Sequence, residues 1–560
     1  MGSFEEQCGG KSSPAPYDAS SENYAVAGDV ALQHSKDDSP DGGRAKPRLK
    51  HSLQGRHLKF LALGGSIGTG LFVGSGNILA TGGPASLMID FIIVSLMLVT
   101  VIFALGEMVA LFPVASAFST LAARFIDPSL GFSVGLSYLM TWLVILPVEI
   151  TAGTIVIGFW DKHEVVPQGV WVVVFLTIVF TINMFGVRGF GEFEFAASFI
   201  KIVSIVGFII CAIVIDRGGT PAHHVFGVET WRNPGAFNNA FKGFCTVFVT
   251  AAFAYGGSEL VGLAAAEAKN PRVALPNACK QVVWRVLVFY LTSLLMVTLI
   301  VPYTEPGLLG SSSNPRASPF VIALQYGGVR VLPHIFNGVI LVSVLSVANS
   351  SVFASSRILL GLAERGEMPK IFAFTDKMGR PLAGYAVVFL FGLLGFLMYS
   401  TSKSEVFAWL TGISGLSSIF IWGSICASHI RFRSAWKNQG YTLRQLPWAS
   451  PLGVYGSWFG LVVNIFVICA TIYVSAFPVG EGELTPMERA HDFFVQMVSL
   501  PVALALFLFH KLLRRTRMVP FHTIDLVSER RDAVSDEVLE QERAEARAQP
   551  LWKRVLAMLF

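Results

Sequence analysis

The sequence predicts an all-α membrane protein of about twelve spanning helices, two of them interrupted by glycine-rich breaks. Three observations predict it: an apolar composition, a recurrence of stretches long enough to cross a bilayer, and breaks at corresponding places in two halves. Of 560 residues, 53% are hydrophobic and 14% charged, against about 25% charged in an ordinary soluble domain, so a water-soluble fold is excluded. The 45 Phe and 53 Gly suit lipid-facing helices whose backbones approach closely at small residues. A net charge of +5, with no continuous basic face interleaved with aromatics, argues against a nucleic-acid partner. The six cysteines contain no CxxC pair, so neither a disulfide framework nor a metal site is expected. Residues 1–50 are polar and lack the apolar core of a cleavable signal, which leaves the first span as the targeting signal.

A span needs about 20 apolar residues to cross about 30 Å at 1.5 Å each. The stretches meeting this run from Leu58 to Ala80, Ala85 to Leu111, Gly131 to Trp160, Val170 to Val187, Phe195 to Ile215 and Phe237 to Ala266. The series continues with Gln281 to Val301, Leu332 to Leu362, Ala383 to Ser400, Val406 to Ile430, Tyr455 to Ser475 and Phe493 to Leu513. With both termini cytosolic, the basic clusters Arg44 to Lys59, Arg365 to Arg380, Arg431 to Arg444 and Lys511 to Arg517 fall on the cytosolic side, as positive-inside bias requires.

Gly64-Gly65-Ser66-Ile67-Gly68-Thr69-Gly70 interrupts the first span and Tyr255-Gly256-Gly257-Ser258-Glu259 the sixth. Each opens a set of five spans, the pattern of a five-plus-five inverted repeat with discontinuous helices 1 and 6 and a site near the bilayer midplane; helices 11 and 12 lie outside the repeat. The expected layout is a cytosolic tail over 1–55, a membrane domain over 56–515 (repeats about 56–215 and 237–430, helices 11 and 12 about 455–513), and a charged cytosolic tail over 516–560. Residues 551–560 form either a basic amphipathic helix on the inner leaflet or a disordered end.

The run Arg56-His57-Leu58 followed by Gly64 to Gly76 resembles the first-span signature of the fungal amino-acid permeases. Ala104-Leu105-Gly106-Glu107-Met108, Ala123 to Pro128, Asn183 to Glu192, Ser258-Glu259-Leu260-Val261-Gly262, Glu267 to Arg272, Asn349-Ser350-Ser351 and Trp422 to Arg433 are similar to that family in the same order, from about Arg48 onward. Ser258 stands where the family more often has Thr, Asp90 where an aromatic is usual, and Val347-Ala348 where a glycine commonly precedes the Asn. The resemblance implies the amino acid, polyamine and organocation superfamily, with free amino acids as substrates, no cofactor, the proton as coupling ion and the fungal plasma membrane as location. It also implies ubiquitin-ligase and adaptor contacts at the tails, with Lys11, Lys36, Lys46 and Lys50 as acceptors.

Within that frame, backbone N–H groups at Ser66, Ile67, Gly68, Thr69 and Gly70 are expected to hold a substrate carboxylate at a half-helix N-terminus. Phe253, Tyr255, Gly256, Gly257 and Ser258 form the other wall, carbonyls taking the ammonium and Phe253 closing over the side chain. The alternative is that the glycines serve tight packing alone. Ionisable groups inside a span cost on the order of 2.5–3.5 kcal/mol on insertion scales and so mark function by default. Glu259, Lys201 and Glu149 are the proton-coupling candidates, with Glu107 nearer a span end. By resemblance Lys201 takes the place of a sodium ion beside the first break; alternatively it snorkels to the interface. Asn349 and Ser350 give polar support from the eighth span. Glu267, Lys269 and Arg272 form either a cytosolic gate of ion pairs or solvated loop charge.

No Walker loop, HExxH set or GxSxG elbow is present, so an enzyme is not expected. A permease-like sensor that transports little or nothing is the competing reading.

Overall fold

Among the described residues the regular structure is helical, and extended pairing is confined to an isolated bridge between Arg217 and Val225. The computed structural model describes residues 60–61, 64–114, 117–161, 163, 165–265, 271–309, 318–399, 403–479, 485–530, 548 and 550. The expectations for the tail 1–55 with Lys11, Lys36, Lys46 and Lys50, and for a helix over 551–560, lie outside these residues.

In chain order the principal helices are α1 (Ser75–Leu111), α2 (Ala117–Phe125), α3 (Pro128–Ile157), α4 (Gln168–Met184), α5 (Gly186–Asp216), α6 (Ala240–Tyr255), α7 (Leu260–Ala265) and α8 (Pro271–Trp284). They continue as α9 (Thr292–Ile300), α10 (Pro319–Tyr326), α11 (Leu332–Glu364), α12 (Leu382–Gly392), α13 (Lys403–Asn438), α14 (Gly453–Ala476), α15 (Pro486–Met497) and α16 (Ser499–Arg514). Among the described residues eight helical segments are long and apolar enough to cross a membrane, and Gln168–Met184 and Leu382–Leu397 are shorter apolar helices. This is a polytopic helical membrane protein.

Local chemistry explains the joints. The helical run from Gly70 to Leu111 is kinked at Gly83, whose φ of +80° no side chain adopts readily, and Pro84 opens the arm that follows. The backbone groups freed at this corner are taken by the segment before α6: Ala85 N–H donates to Ala236 O at 2.8 Å, Asn238 N–H to Gly82 O at 3.0 Å, and Asn238 Nδ2 to Ala80 O at 2.7 Å. At the start of α3, Asp127 caps the helix by accepting from Ser129 N–H at 2.8 Å.

Burial sorts the helices into inner and outer. α3 and α11 pack most extensively against each other; α3 buries Trp142, Leu146, Glu149 and Ile150, and α11 buries Ser346, Asn349 and Ser350. α5 instead exposes Ile200, Val203, Val206, Ile210 and Ile213, and α14 exposes Trp458, Phe459, Val462, Ile465 and Phe466, rows that only a hydrocarbon surround tolerates.

At the end of the bundle carrying Asp127, the chain after α16 returns as a strap. Val519 N–H donates to Ile126 O at 2.9 Å, and Gln439 Nε2 donates to Ile524 O at 2.8 Å. Arg124 bonds Ser528 O at 3.0 Å and pairs with Glu529, while Arg431 reaches both Phe125 O and Val519 O. The strap's own Ile524 and Leu526 are buried.

Asp127 is itself part of this fastening, accepting from Lys511 Nζ at 2.6 Å and Thr516 Oγ1 at 2.9 Å. Burial opposes its ionisation, but the Lys511 contact, the Ser129 amide and the Thr516 hydroxyl outweigh it and hold the carboxyl below the usual carboxylate range. A depressed folded-state value means that the stability it contributes is complete above the unfolded value of about 3.9 and is lost as pH falls through the folded one. Asp127→Ala is therefore expected to cost about 0.5–2 kcal/mol near neutrality. The gap to wild type should close on acidification below about pH 4, as read by thermal unfolding in detergent.

Candidate functional site

Two interrupted helices meet in the interior. In the first, Gly65 N–H bonds Leu61 O at 2.8 Å and Ile67 N–H bonds Gly64 O at 3.1 Å, after which the chain resumes as a π-helical turn, Gly70–Gly74. In the second, α6 stops at Tyr255; tight turns follow, with Gly256 N–H to Phe253 O at 3.1 Å and Leu260 N–H to Gly257 O at 3.1 Å, before α7 begins. Gly257 has φ of +88°. A Cβ on Gly70 would lie 2.4 Å from Ala254 Cα, and one on Gly257 would lie 3.5 Å from Ser66 Cβ and 3.2 Å from Trp142, so the two breaks are in direct apposition.

Side chains take up backbone groups and polar side chains of both breaks. Lys201 on α5 is fully buried and donates to Gly64 O at 3.0 Å and Ser346 Oγ at 2.9 Å. Ser346 Oγ donates to Glu194 at 2.7 Å, Asn349 Nδ2 donates to the other Glu194 oxygen at 2.9 Å, and Asn183 Nδ2 donates to Asn349 Oδ1 at 2.7 Å. On the opposite flank Thr69 Oγ1 donates to Glu149 at 2.5 Å. Tyr290 Oη donates to Ser66 O at 3.0 Å and to Ala254 O at 2.9 Å, one carbonyl from each break. Glu259 accepts from Trp422 Nε1 at 3.2 Å and from Gly257 N–H at 3.3 Å. Ser258 Oγ donates to Tyr255 O at 2.5 Å and accepts from Arg285.

The expected residues are thus distributed as follows. Ser66, Ile67, Gly68, Thr69 and Gly70 are buried at the first break, and Tyr255, Gly257 and Ser258 at the second; Gly256 and Phe253 are half-buried beside them. Tyr255 Oη lies 2.6 Å from Ser95 Oγ, and its ring stacks on Tyr290. The snorkelling alternative for Lys201 is corrected: helix α5 starts at Gly186 rather than near Phe195, which puts the lysine deep along the helix, with its ammonium turned inward. Glu107 is likewise away from the breaks, held by Arg433 at 2.5 Å, His429 at 3.1 Å and Ser450 N–H at 2.6 Å. Asn349 faces α4 and α5 rather than the first break, and Ser350 is buried beside it. Of the gate expectation, Glu267, Lys269 and the side chain of Arg272 lie outside the described residues.

Sequence reasoning missed Glu194, Arg285, Tyr290 and Trp422. Arg285, a charge inside a predicted span, was detectable by the same rule that found Lys201. Glu194 stood one residue outside the fifth span as drawn. Nothing in sequence pattern distinguishes Tyr290 or Trp422 from packing aromatics. Among the described residues no three His, Cys, Asp or Glu side chains gather as a metal site would require.

A many-helix membrane protein with two apposed, internally satisfied helix breaks has the build of a secondary transporter. Residues 57–522 match the amino acid permease family, and the chain belongs to that family. It is 46% identical to the general amino-acid permease GAP1 of Saccharomyces cerevisiae, over 91% of this chain and 86% of that one. Amino-acid permease GAP5 of Candida albicans is 45% identical over 91% and 82%, and amino-acid permease inda1 of Hypocrea atroviridis 42% over 92% and 91%. The family is one of transporters and not of enzymes, and amino-acid transport follows for this chain.

Gly257→Ala is expected to lower stability by about 1–2 kcal/mol, because a β-carbon disfavours the left-handed backbone. The loss should appear as a lower melting temperature of the purified protein.

Proposed function

We propose that this chain imports amino acids, neutral or of broad range, across the plasma membrane by proton symport, with both termini cytosolic. The observation that carries the reading is the first break, flanked on one side by Glu149 bonded to Thr69 and on the other by Lys201 bonded to Gly64 O. An acid and a base bonded directly to the segment that receives substrate give proton binding a mechanical hold on it. The substrate carboxylate sits at the backbone of Ser66 to Gly70, where the dipole of the resumed helix favours an anion. Its ammonium meets carbonyls around Phe253 to Ser258, and Phe253, half-buried, closes over the side chain. Glu259, against Trp422 and the second break, is the third proton-coupling group.

The membrane domain is read as twelve helices in a five-plus-five inverted repeat with helices 11 and 12 appended. The 42-residue run Gly70–Leu111 supports this, since at 1.5 Å per residue it is about twice the ~30 Å of hydrocarbon and is kinked at Gly83. The shorter helices α4, α12 and α16 supply the remaining crossings. Glu267, Lys269 and Arg272 are proposed as the cytosolic gate, and the tails as sites of ubiquitin-ligase and adaptor contact. The similarity to the Saccharomyces general amino-acid permease favours a broad substrate range. One proton entering with a zwitterion gains about 2.3 kcal/mol per 100 mV, and a pH unit adds about 1.4, which suffices for uphill uptake.

Purified protein in liposomes, given a panel of labelled amino acids and an inward pH gradient, is expected to accumulate them faster than without the gradient. Glu149→Gln and Glu259→Gln should each remove that acceleration. Acceleration retained by both would end the proton-coupling proposal, and binding without uptake by the wild type would replace it with the sensor reading.

A further inference from the structure

We infer that Tyr290, held by Arg285, is a positioning residue that fixes the register between the two helix breaks, and so the geometry in which an amino acid is bound. The inference rests on the proposal that the breaks are the substrate site, and goes beyond it by assigning what keeps them together.

Tyr290 is fully buried, and its hydroxyl lies within bonding distance of a released carbonyl from each break, Ser66 O at 3.0 Å and Ala254 O at 2.9 Å. A hydroxyl has a single proton to donate, so the two carbonyls share it and their separation is set by one oxygen. No other side-chain contact described above joins both broken segments through the same atom. The ring is fixed as well, stacked on Tyr255 at 4.5 Å between centroids, and Tyr255 is in turn bonded to Ser95 on α1 and packed on Phe91.

An independent feature points to the same place. Between α8 and α9 the chain runs as a π-helix, Arg285–Leu291. Such turns are rare, destabilising relative to the α-form, and concentrated at functional sites. Here the i→i+5 spacing brings Arg285 and Tyr290 together, with the Arg285 guanidinium 6.0 Å from the Tyr290 ring centroid. Arg285, buried completely, donates to Ser258 Oγ within the second break, next in sequence to Glu259. An ordinary α-helical turn would separate the two side chains around the helix and release one of these grips. The π-turn therefore delivers a cation to the sixth-span break and a hydroxyl to both breaks from one short segment.

The consequence is specific. If the hydroxyl only filled space or stabilised the fold, its removal would reduce the amount of working protein. If it sets register, its removal leaves turnover intact and weakens the fit of the substrate between two half-sites.

The test uses full-length protein in liposomes and the labelled amino acid that the wild type carries fastest. Tyr290→Phe keeps the ring stack and removes only the hydroxyl. It is expected to raise KM about tenfold, the scale of a lost buried hydrogen bond, with Vmax per folded transporter and the pH profile unchanged. A fall in Vmax at unchanged KM, or no change in either, overturns the assignment. Should Tyr290→Phe fail to fold, Arg285→Lys, which keeps the charge and loses the guanidinium geometry, decides by the same split: raised KM at retained Vmax supports the inference, and any other result overturns it. Gly68→Ala separates this inference from the reading beneath it. Raised KM in Gly68→Ala but not in Tyr290→Phe removes the Tyr290 assignment alone, whereas unchanged KM in both removes the breaks as the substrate site.

Discussion

A polypeptide that unwinds inside hydrocarbon must find partners for every N–H and C=O it releases, because no solvent will supply them. The interior of this protein is organised around that requirement. Lys201, Tyr290, Thr69 with Glu149, and Ser258 with Arg285 lie where two helices come apart, and each engages a backbone group or a side chain of the interrupted segments. The polar face of α11, with Ser346 and Asn349, continues the same network outward to Glu194 and Asn183. Buried polar residues that would be a liability in an apolar core are here the means by which irregular backbone is tolerated.

This arrangement explains the division of labour among the helices. Those that touch the breaks, α3 and α11 above all, bury most of their side chains and pack on each other, whereas α5 and α14 turn long apolar rows outward. α5 does both, presenting Lys201 and Glu194 inward and Ile200, Val203 and Val206 outward. The second charged cluster, Glu107 with Arg433 and His429, joins α1 to α13 away from the breaks, so the family motifs around Glu107 and Arg433 include residues whose contacts hold helices together.

Much of this was legible in the sequence, for identifiable reasons. Long apolar stretches need no tertiary information, and Gly64 to Gly70 and Gly256-Gly257 announce irregular backbone because glycine is costly in a helix unless its freedom or small size is used. Lys201 and Glu149 stood out because charge is rare in spans. What could not be read was the pairing. That Tyr290 serves both breaks depends on a π-turn, which leaves no periodicity in a run of Val, Leu and Phe, and on two segments more than 180 residues apart meeting in space. Asn349 was legible as polar support from the eighth span, but its partners Asn183 and Glu194 were not, since helix periodicity gives a face and not the identity of what it faces. Glu194 was lost to an uncertainty of a few residues in where a helix begins, the kind of error that composition cannot repair.

The strap formed after α16 ties residues 516–530 to Arg124, Ile126 and Asp127, roughly four hundred positions earlier in the chain. Such a fastening closes the polypeptide into a circuit, so that α16, otherwise at the periphery and free to fray, cannot detach without also releasing the caps of α3 and the tail of α13. Disruption of the carboxyl-terminal stretch should therefore propagate as cooperative melting of the bundle's polar rim and not remain a local event.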